Sequence, residues 1–329
     1  MQGEQSGERE ESAKVARAVG AAFGVRARAE GRLPMGNVNR VYKVRAAGRA
    51  YAVKIFRHAD WPEAGKLPWV ESQLSIHNVP HAELIYHTRE DSHFPYGFSV
   101  SEFVEGDNCK AAIREGRLTP AAYCEMAGAL LRRVHEVSVP LYGYIGDGGG
   151  TDEDFVGWTL GCEVGDSLRE IKDGSGPAET LYPLIERKVE PVLRRYESRF
   201  EPVLLHVDCT PKNGVLRGDG SRLVLVDWDE AVAGFWVRDY ASLAYWYSHT
   251  YKDGALAAHA DEIRDAFLRG YGETDFDRKE LAEVESALQL TQTAGVLSYL
   301  YKVGDAEGFA RTRELLLHML GAPPRRGRG

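Results

Sequence analysis

Two short apolar stretches in the second half of the chain each end in groups that can bind metal or move protons. In LLHVDCTPKNGVL, His206, Asp208 and Asn213 follow the first stretch, and in LVLVDWDE, Asp227 and Asp229 follow the second. A nucleoside triphosphate needs Mg²⁺ to offset the charge on its phosphates, and Mg²⁺ takes hard oxygen ligands. Asp227 and Asn213 can supply them, one as a carboxylate and one as an amide carbonyl. A hydroxyl that attacks a γ-phosphate also needs a carboxylate to orient it and accept its proton. Asp208, five residues before Asn213, has the type and spacing for that task, so one loop can serve both roles.

Taken singly, an Asp at a strand end is a turn residue and a buried His is a core group. The pattern gains weight from partners in the order the chemistry requires. Lys54, in YAVKIF, lies on an expected strand and can reach α- and β-phosphates as the lysine of a V-A-I-K signature does. Seventeen residues later Glu71 opens a helical stretch, VESQLSIH, and is the favoured carboxylate to hold Lys54 by an ion pair, with Glu63 the alternative. Upstream, MGNVNRVYKV places Gly36 and Asn39 in a turn whose backbone N–H groups could lie over a triphosphate.

These residues together resemble the aminoglycoside phosphotransferase and choline kinase family, relatives of the protein kinases. The likeness runs from residue 36 to about 245. The family's phosphate loop falls on Gly36, Asn39 and Tyr42, its phosphate lysine on Lys54 and its Lys-pairing glutamate on Glu71. His-x-Asp with Asn five residues on falls on His206, Asp208 and Asn213, and the metal-binding Asp falls on Asp227. The resemblance implies a two-lobed, protein-kinase-like fold, ATP or GTP as co-substrate, Mg²⁺, and a stretch from Ser101 to Phe103 that meets the base through backbone groups. Val207 and Lys212 stand where the family often has Gly. Trp228 and Asp229 replace the Phe and Gly of protein kinases, and no A-P-E segment follows, so the implied substrate is a small molecule bearing a hydroxyl. Arg238 and Asp239, in FWVRDYASL, resemble the acidic helix start that follows the metal Asp in this family, a structural brace, and His135, in LRRVHEV, reads as a packed helix residue.

The elements that must position these groups divide the chain in two. Residues 38–56 alternate apolar and polar side chains around AAGRA, which predicts a hairpin, and a second strand pair is expected at 82–87 and 97–103. After Thr119 and Pro120 the apolar spacing turns helical, with further helices expected at 179–199, 256–271, 278–301 and 306–320 and short strands at 202–205 and 223–226. The expected class is α+β: a disordered tail over 1–12, a small β-rich nucleotide-binding lobe over 13–106, a larger mainly helical catalytic and substrate-binding lobe over 107–320, and a basic tail over 321–329.

Length and composition agree with a folded globular chain: 329 residues, 43% apolar, 10% aromatic and 27% charged. Forty-one Lys and Arg against 49 Asp and Glu give a net charge of −8, which argues against a nucleic-acid backbone as partner. Four scattered cysteines with no C-x-x-C pair, and no long apolar run, predict a reducing cytoplasm and no membrane association. Residues 140–329 hold 32 acidic and 22 basic side chains, while residues 1–139 hold 17 and 19. Eight of those carboxylates lie between Asp147 and Asp173, an acidic rim that would concentrate a polycation such as an aminoglycoside or a basic peptide antibiotic. The expected activity is Mg²⁺-dependent phosphorylation of such an antibiotic, conferring resistance. A metabolic sugar, choline or amino-alcohol kinase is the alternative, and a nucleotide-binding pseudoenzyme stands behind both.

Overall fold

The computed structural model describes residues 2–33, 38–172, 174, 176–218, 222–251 and 254–321, with side chains from residue 7 onward. The longer elements run in chain order from α1 (Gln2–Phe23) through β1 (Ala27–Arg32), β2 (Arg40–Ala46), β3 (Arg49–Ile55), α2 (Lys66–Ile76), β4 (Leu84–Thr88), β5 (Phe98–Glu102), β6 (Gly106–Asn108), α3 (Cys109–Arg114), α4 (Pro120–Val134) and β7 (Gly143–Tyr144). They continue with α5 (Tyr182–Tyr196), β8 (Val203–Leu205), β9 (Gly214–Arg217), β10 (Arg222–Leu225), β11 (Val232–Gly234), α6 (Val237–His249), α7 (Ala260–Tyr271), α8 (Arg278–Val303) and α9 (Ala306–Met319).

These elements form two compact units, one of residues 1–119, 145–148 and 209–231, the other of 120–144, 149–208 and 232–329. The first unit is built on an antiparallel sheet of order β1-β2-β3-β5-β4. Alternation along β2 and β3 sends Tyr42, Val44, Val53 and Ile55 into one core, where Val15 and Val19 of α1 meet them. The expected hairpin is present, closed by Ala47 at φ 48° and Gly48 at φ 77°. Positive φ at both central residues matches the right-handed twist of the strands. A second sheet, β10-β9-β6, carries the segment that ends in Asp227.

The second unit is mainly helical, with a small sheet of order β7-β11-β8 whose last strand leads into His206. Helices α4 and α7 approach very closely. A Cβ added at Gly270 would lie 1.8 Å from the carbonyl oxygen of Glu125, and one at Gly128 would lie 2.2 Å from that of Phe267. Glycine at both positions lets the two backbones touch.

Several elements differ from the sequence reading. Residues 2–12, expected as a disordered tail, belong to α1, and Glu11 is fixed there by Arg40 and by Tyr42 Oη. The boundary expected between residues 106 and 107 falls inside the first unit, which runs on to Thr119 and takes back two later segments. The resemblance anticipates only the start of helix α6, at Arg238 and Asp239; nine of its thirteen residues are buried, the polar Asp239 and Ser242 among them, so its burial does not follow apolar spacing. The polar β1, ARAEGR, likewise shows no strand pattern. The basic tail from residue 322 onward lies outside the described residues. Among the described residues no helix is long and apolar enough to cross a membrane.

The α4–α7 contact sets an expectation. Gly270→Ala gains about 1 kcal/mol of helix propensity, yet its methyl meets immobile backbone, and overpacking of that kind costs about 1–3 kcal/mol or more. We expect net destabilisation, read as a lower midpoint in thermal unfolding; an unchanged or higher midpoint would show that the helices can separate at no cost.

Candidate active site

In the first unit, β3 delivers Lys54 to the carboxylates that follow β10. Lys54 Nζ donates to Asp227 Oδ1 at 2.6 Å and to Asp229 Oδ1 at 2.6 Å. The acids differ in setting, since the Asp227 side chain is 40% exposed and that of Asp229 is 5% exposed. Asn39 Nδ2 donates to Asp229 Oδ2 at 2.7 Å, and Asn39 Oδ1 accepts from the N–H of Arg57. Lys66, 1% exposed at the start of α2, donates from Nζ to the backbone carbonyl of Asp229 at 3.0 Å and pairs with Glu63 at 2.6 Å.

Burial alone would lower the Lys54 pKa, but the charges of Asp227 and Asp229 hold it above its ordinary value, so the ammonium stays protonated. Burial pushes the Asp229 carboxyl up; Lys54 opposes that and the negative Asp227 adds to it. Asp227 itself sits at φ 69° and ψ 68°, a left-handed conformation that Asp tolerates better than most residues. That backbone turn starts the short helical turn Trp228–Glu230 and puts Asp229 two residues on.

The other end of the expected metal pair is tied to this segment through backbone. Asn213, 3% exposed, closes the turn Pro211–Asn213, and its carbonyl accepts from the N–H of Val226 at 2.9 Å. The residue before Asp227 is thereby fastened to Asn213. Asn108 Nδ2 donates to the carbonyl of Lys212 at 2.8 Å, which fixes the same turn from β6.

In the second unit a buried carboxylate shapes the loop that carries Asp208. Asp239, 0% exposed, accepts from the N–H of Val207 at 2.6 Å and from that of His206 at 3.0 Å. His135 Nε2 lies 3.1 Å from the same carboxylate, and its Nδ1 lies 2.9 Å from Tyr271 Oη. Burial would raise the Asp239 carboxyl, but His135 and the bond from the His206 amide hold it below its usual range. Val207 stands at φ 65°, a strained conformation for a β-branched residue. Two amides on Asp239, and the Val207 carbonyl accepting from Ser242 Oγ at 2.7 Å, keep it there. Asp208 follows, its N–H donating to the carbonyl of His206.

The other expected site residues make different contacts or lie outside the described residues. Glu71 does not reach Lys54: Oε1 takes His81 Nε2 at 2.9 Å and Oε2 takes the N–H of Leu84 at 2.8 Å. Glu63, the alternative, serves Lys66. The N–H groups of Glu102 and Phe103, within the stretch expected to meet a base, donate to the carbonyls of Glu83 and Ala50. The Phe103 ring lies under Lys43 Nζ, 3.9 Å from its centroid, and Ser101 is paired in the sheet with Ala52. Asn39 reaches Asp229 through its side chain, and Gly36 lies outside the described residues. Sequence reasoning noticed Asp229 without giving it a role and passed over Lys66, since a lysine at a helix start is ordinarily solvated.

Comparison with known proteins places this geometry. The model of a family described as "Phosphotransferase enzyme family" matches residues 31–284. The fold is similar to that of aminoglycoside phosphotransferase APH(4)-Ia, with TM-score 0.66 at 14% identity over 94% of this chain and 98% of that one. A thermostable mutant of that protein, solved in a ternary complex with AMP-PNP and hygromycin B, gives 0.65 at 14% identity over 95% and 100%. A protein from Haemophilus somnus 129PT, provisionally assigned as a fructosamine-3-kinase, gives 0.62 at 12% identity over 93% and 96%. No curated protein matches the sequence.

The Glu71–His81 pair makes stability depend on pH. Burial would lower the His81 pKa, but Glu71 raises it above its ordinary 6.5. Burial would raise that of Glu71, but His81 and the Leu84 amide bring it below 4.5. The pair therefore stabilises fully between those two values, loses its contribution as pH rises through the raised His81 pKa, and loses it again as pH falls through the lowered Glu71 pKa. His81→Gln should cost about 1 kcal/mol near pH 5.5 and measurably less near pH 8 in denaturant titrations; a cost that does not change with pH would contradict this account.

Proposed function

The chain belongs to the phosphotransferase enzyme family, and on that footing we propose that it transfers the γ-phosphoryl group of ATP or GTP to a hydroxyl of a small molecule. The observation that carries the reading is the assembly in the first unit: a protonated lysine on two carboxylates, beside an Asn fastened to the residue before one of them. Asp227 and Asn213 are the residues that would hold Mg²⁺, and their hard oxygen donors suit it. When bound, that ion offsets the negative charge of the phosphates. Lys54 contributes a second positive charge for the same purpose. Asp208 orients the acceptor hydroxyl and takes its proton as the acceptor oxygen bonds to the γ-phosphorus. The bond from that phosphorus to the β–γ bridging oxygen breaks, and ADP or GDP leaves. The strained loop held by Asp239 fixes the direction of Asp208.

For the acceptor, the excess of carboxylates after residue 140 supports an aminoglycoside-like or other cationic antibiotic, whose phosphorylation would confer resistance. One observation favours a second reading, a metabolic sugar, choline or amino-alcohol kinase. Four carboxylates of the acidic stretch are already in ion pairs: Asp154 with Arg194, Glu163 with Arg238, Asp166 with Arg169 and Glu170 with Lys302. Their charge is largely spent within the second unit, and a neutral or singly charged acceptor needs less of it. The four cysteines are free, in keeping with a cytoplasmic setting.

The test is release of ADP or GDP with Mg²⁺ across aminoglycosides, basic peptide antibiotics, nucleoside antibiotics, choline and amino sugars. Turnover confined to polycationic drugs supports the first reading, and turnover on choline or an amino sugar supports the second. Asp208→Asn should lower kcat about 10³-fold with nucleotide still bound. Undiminished turnover in that variant would remove Asp208 from its role, and nucleotide binding without turnover on any acceptor would leave a pseudoenzyme.

A further inference from the structure

Lys54 needs a fixed partner if it is to meet phosphates with a defined direction. Glu71 is committed on both oxygens to His81 and the Leu84 amide, and Glu63 is committed to Lys66. Asp227 touches Lys54, but it is exposed and has the metal to serve. Asp229 is in a different position. One carboxylate oxygen accepts from Lys54, the other from Asn39, and its backbone carbonyl accepts from the buried Lys66. A carboxylate held on both oxygens and through its own peptide unit cannot turn away.

We propose that Asp229, rather than Glu71, is the positioning residue for Lys54, and that Asn39 and Lys66 hold Asp229 in place. The inference rests on the phosphotransferase reading, since it concerns how the phosphate-binding lysine is aimed. Asp229 thereby joins the anchoring of Lys54 to the loop that carries Asp227. Lysine and metal ligand are set by one short segment, and helix α2 contributes through Lys66 instead of through a glutamate. Asn39 acts on the nucleotide through Asp229, which explains why its amide faces a carboxylate inside the unit.

The experiment combines nucleotide titration with thermal unfolding of the full chain. Binding of a fluorescent ATP analogue, with and without Mg²⁺, is measured for wild type, Asp229→Asn, Asn39→Ala and Glu71→Gln. Loss of one charged hydrogen bond predicts affinity about tenfold weaker in Asp229→Asn, with a smaller loss in Asn39→Ala and a larger loss in Asp229→Asn than in Glu71→Gln. A general structural role would lower the unfolding midpoint without that ranking. The second arm is a cycle of Lys54→Met, Asp229→Asn and the double variant without nucleotide. If Asp229 acts through Lys54, the two losses of stability are strongly non-additive. Equal affinity in wild type and Asp229→Asn, a larger loss in Glu71→Gln, or additive stabilities would overturn the assignment while leaving the phosphotransferase reading in place. A wild-type chain with no affinity for nucleotide would overturn both.

Discussion

A carboxylate that is almost fully withdrawn from water must be paired, because an unpaired buried charge costs several kcal/mol. Asp229 imposes that constraint on the first unit. It fixes Lys54 at the end of β3, Asn39 just before β2 and Lys66 at the start of α2, three neighbouring segments gathered on one acid that lies far from them in sequence. Their geometry follows from its needs. The exposed Asp227, two residues earlier, gains a defined place as a result, since the turn that buries one acid presents the other.

Asp239 plays the corresponding part in the second unit, with a different device. Where Asp229 gathers side chains, Asp239 gathers backbone: two consecutive N–H groups on one carboxylate force the peptide between His206 and Val207 into a conformation that Val207 would not choose. Strain of this kind costs about 1–3 kcal/mol and persists only where the surroundings over-determine it. Charge-assisted bonds from two amides and from His135 supply that over-determination. Each half of the proposed chemistry therefore rests on one buried acid, neither of which touches phosphate or hydroxyl in the scheme.

Much of this was legible beforehand. The order and spacing of Lys54, Asp208, Asn213 and Asp227 carry the family resemblance, and the hairpin around AAGRA and the long helices are written in apolar spacing. What could not be read was the choice among carboxylates. Glu63, Glu71 and Asp229 are all acids at plausible distances along the chain, and the decision is made by His81, Lys66 and Asn39, whose side chains carry no pattern that marks them as partners. Glu71 looked like a lysine's companion because its sequence offset from Lys54 suited the role, while a histidine ten residues on and the first amide of β4 claim it in space. The body of α6 and the polar β1 were missed for the opposite reason: apolar spacing fades when a helix is buried on most sides, polar residues included, or a strand is polar throughout.

The interleaving of the two units bears on how the protein is made. The first unit needs residues 209–231 to complete it, and the second begins at residue 120 and ends with the chain. On the ribosome the amino-terminal sheet emerges early but must wait, with Lys54 lacking Asp227 and Asp229, until residue 231 has left the exit tunnel. By then much of the second unit is also available. Neither unit can be released as a continuous fragment, and a premature stop anywhere between residues 120 and 208 leaves a sheet whose buried lysines have lost their acid.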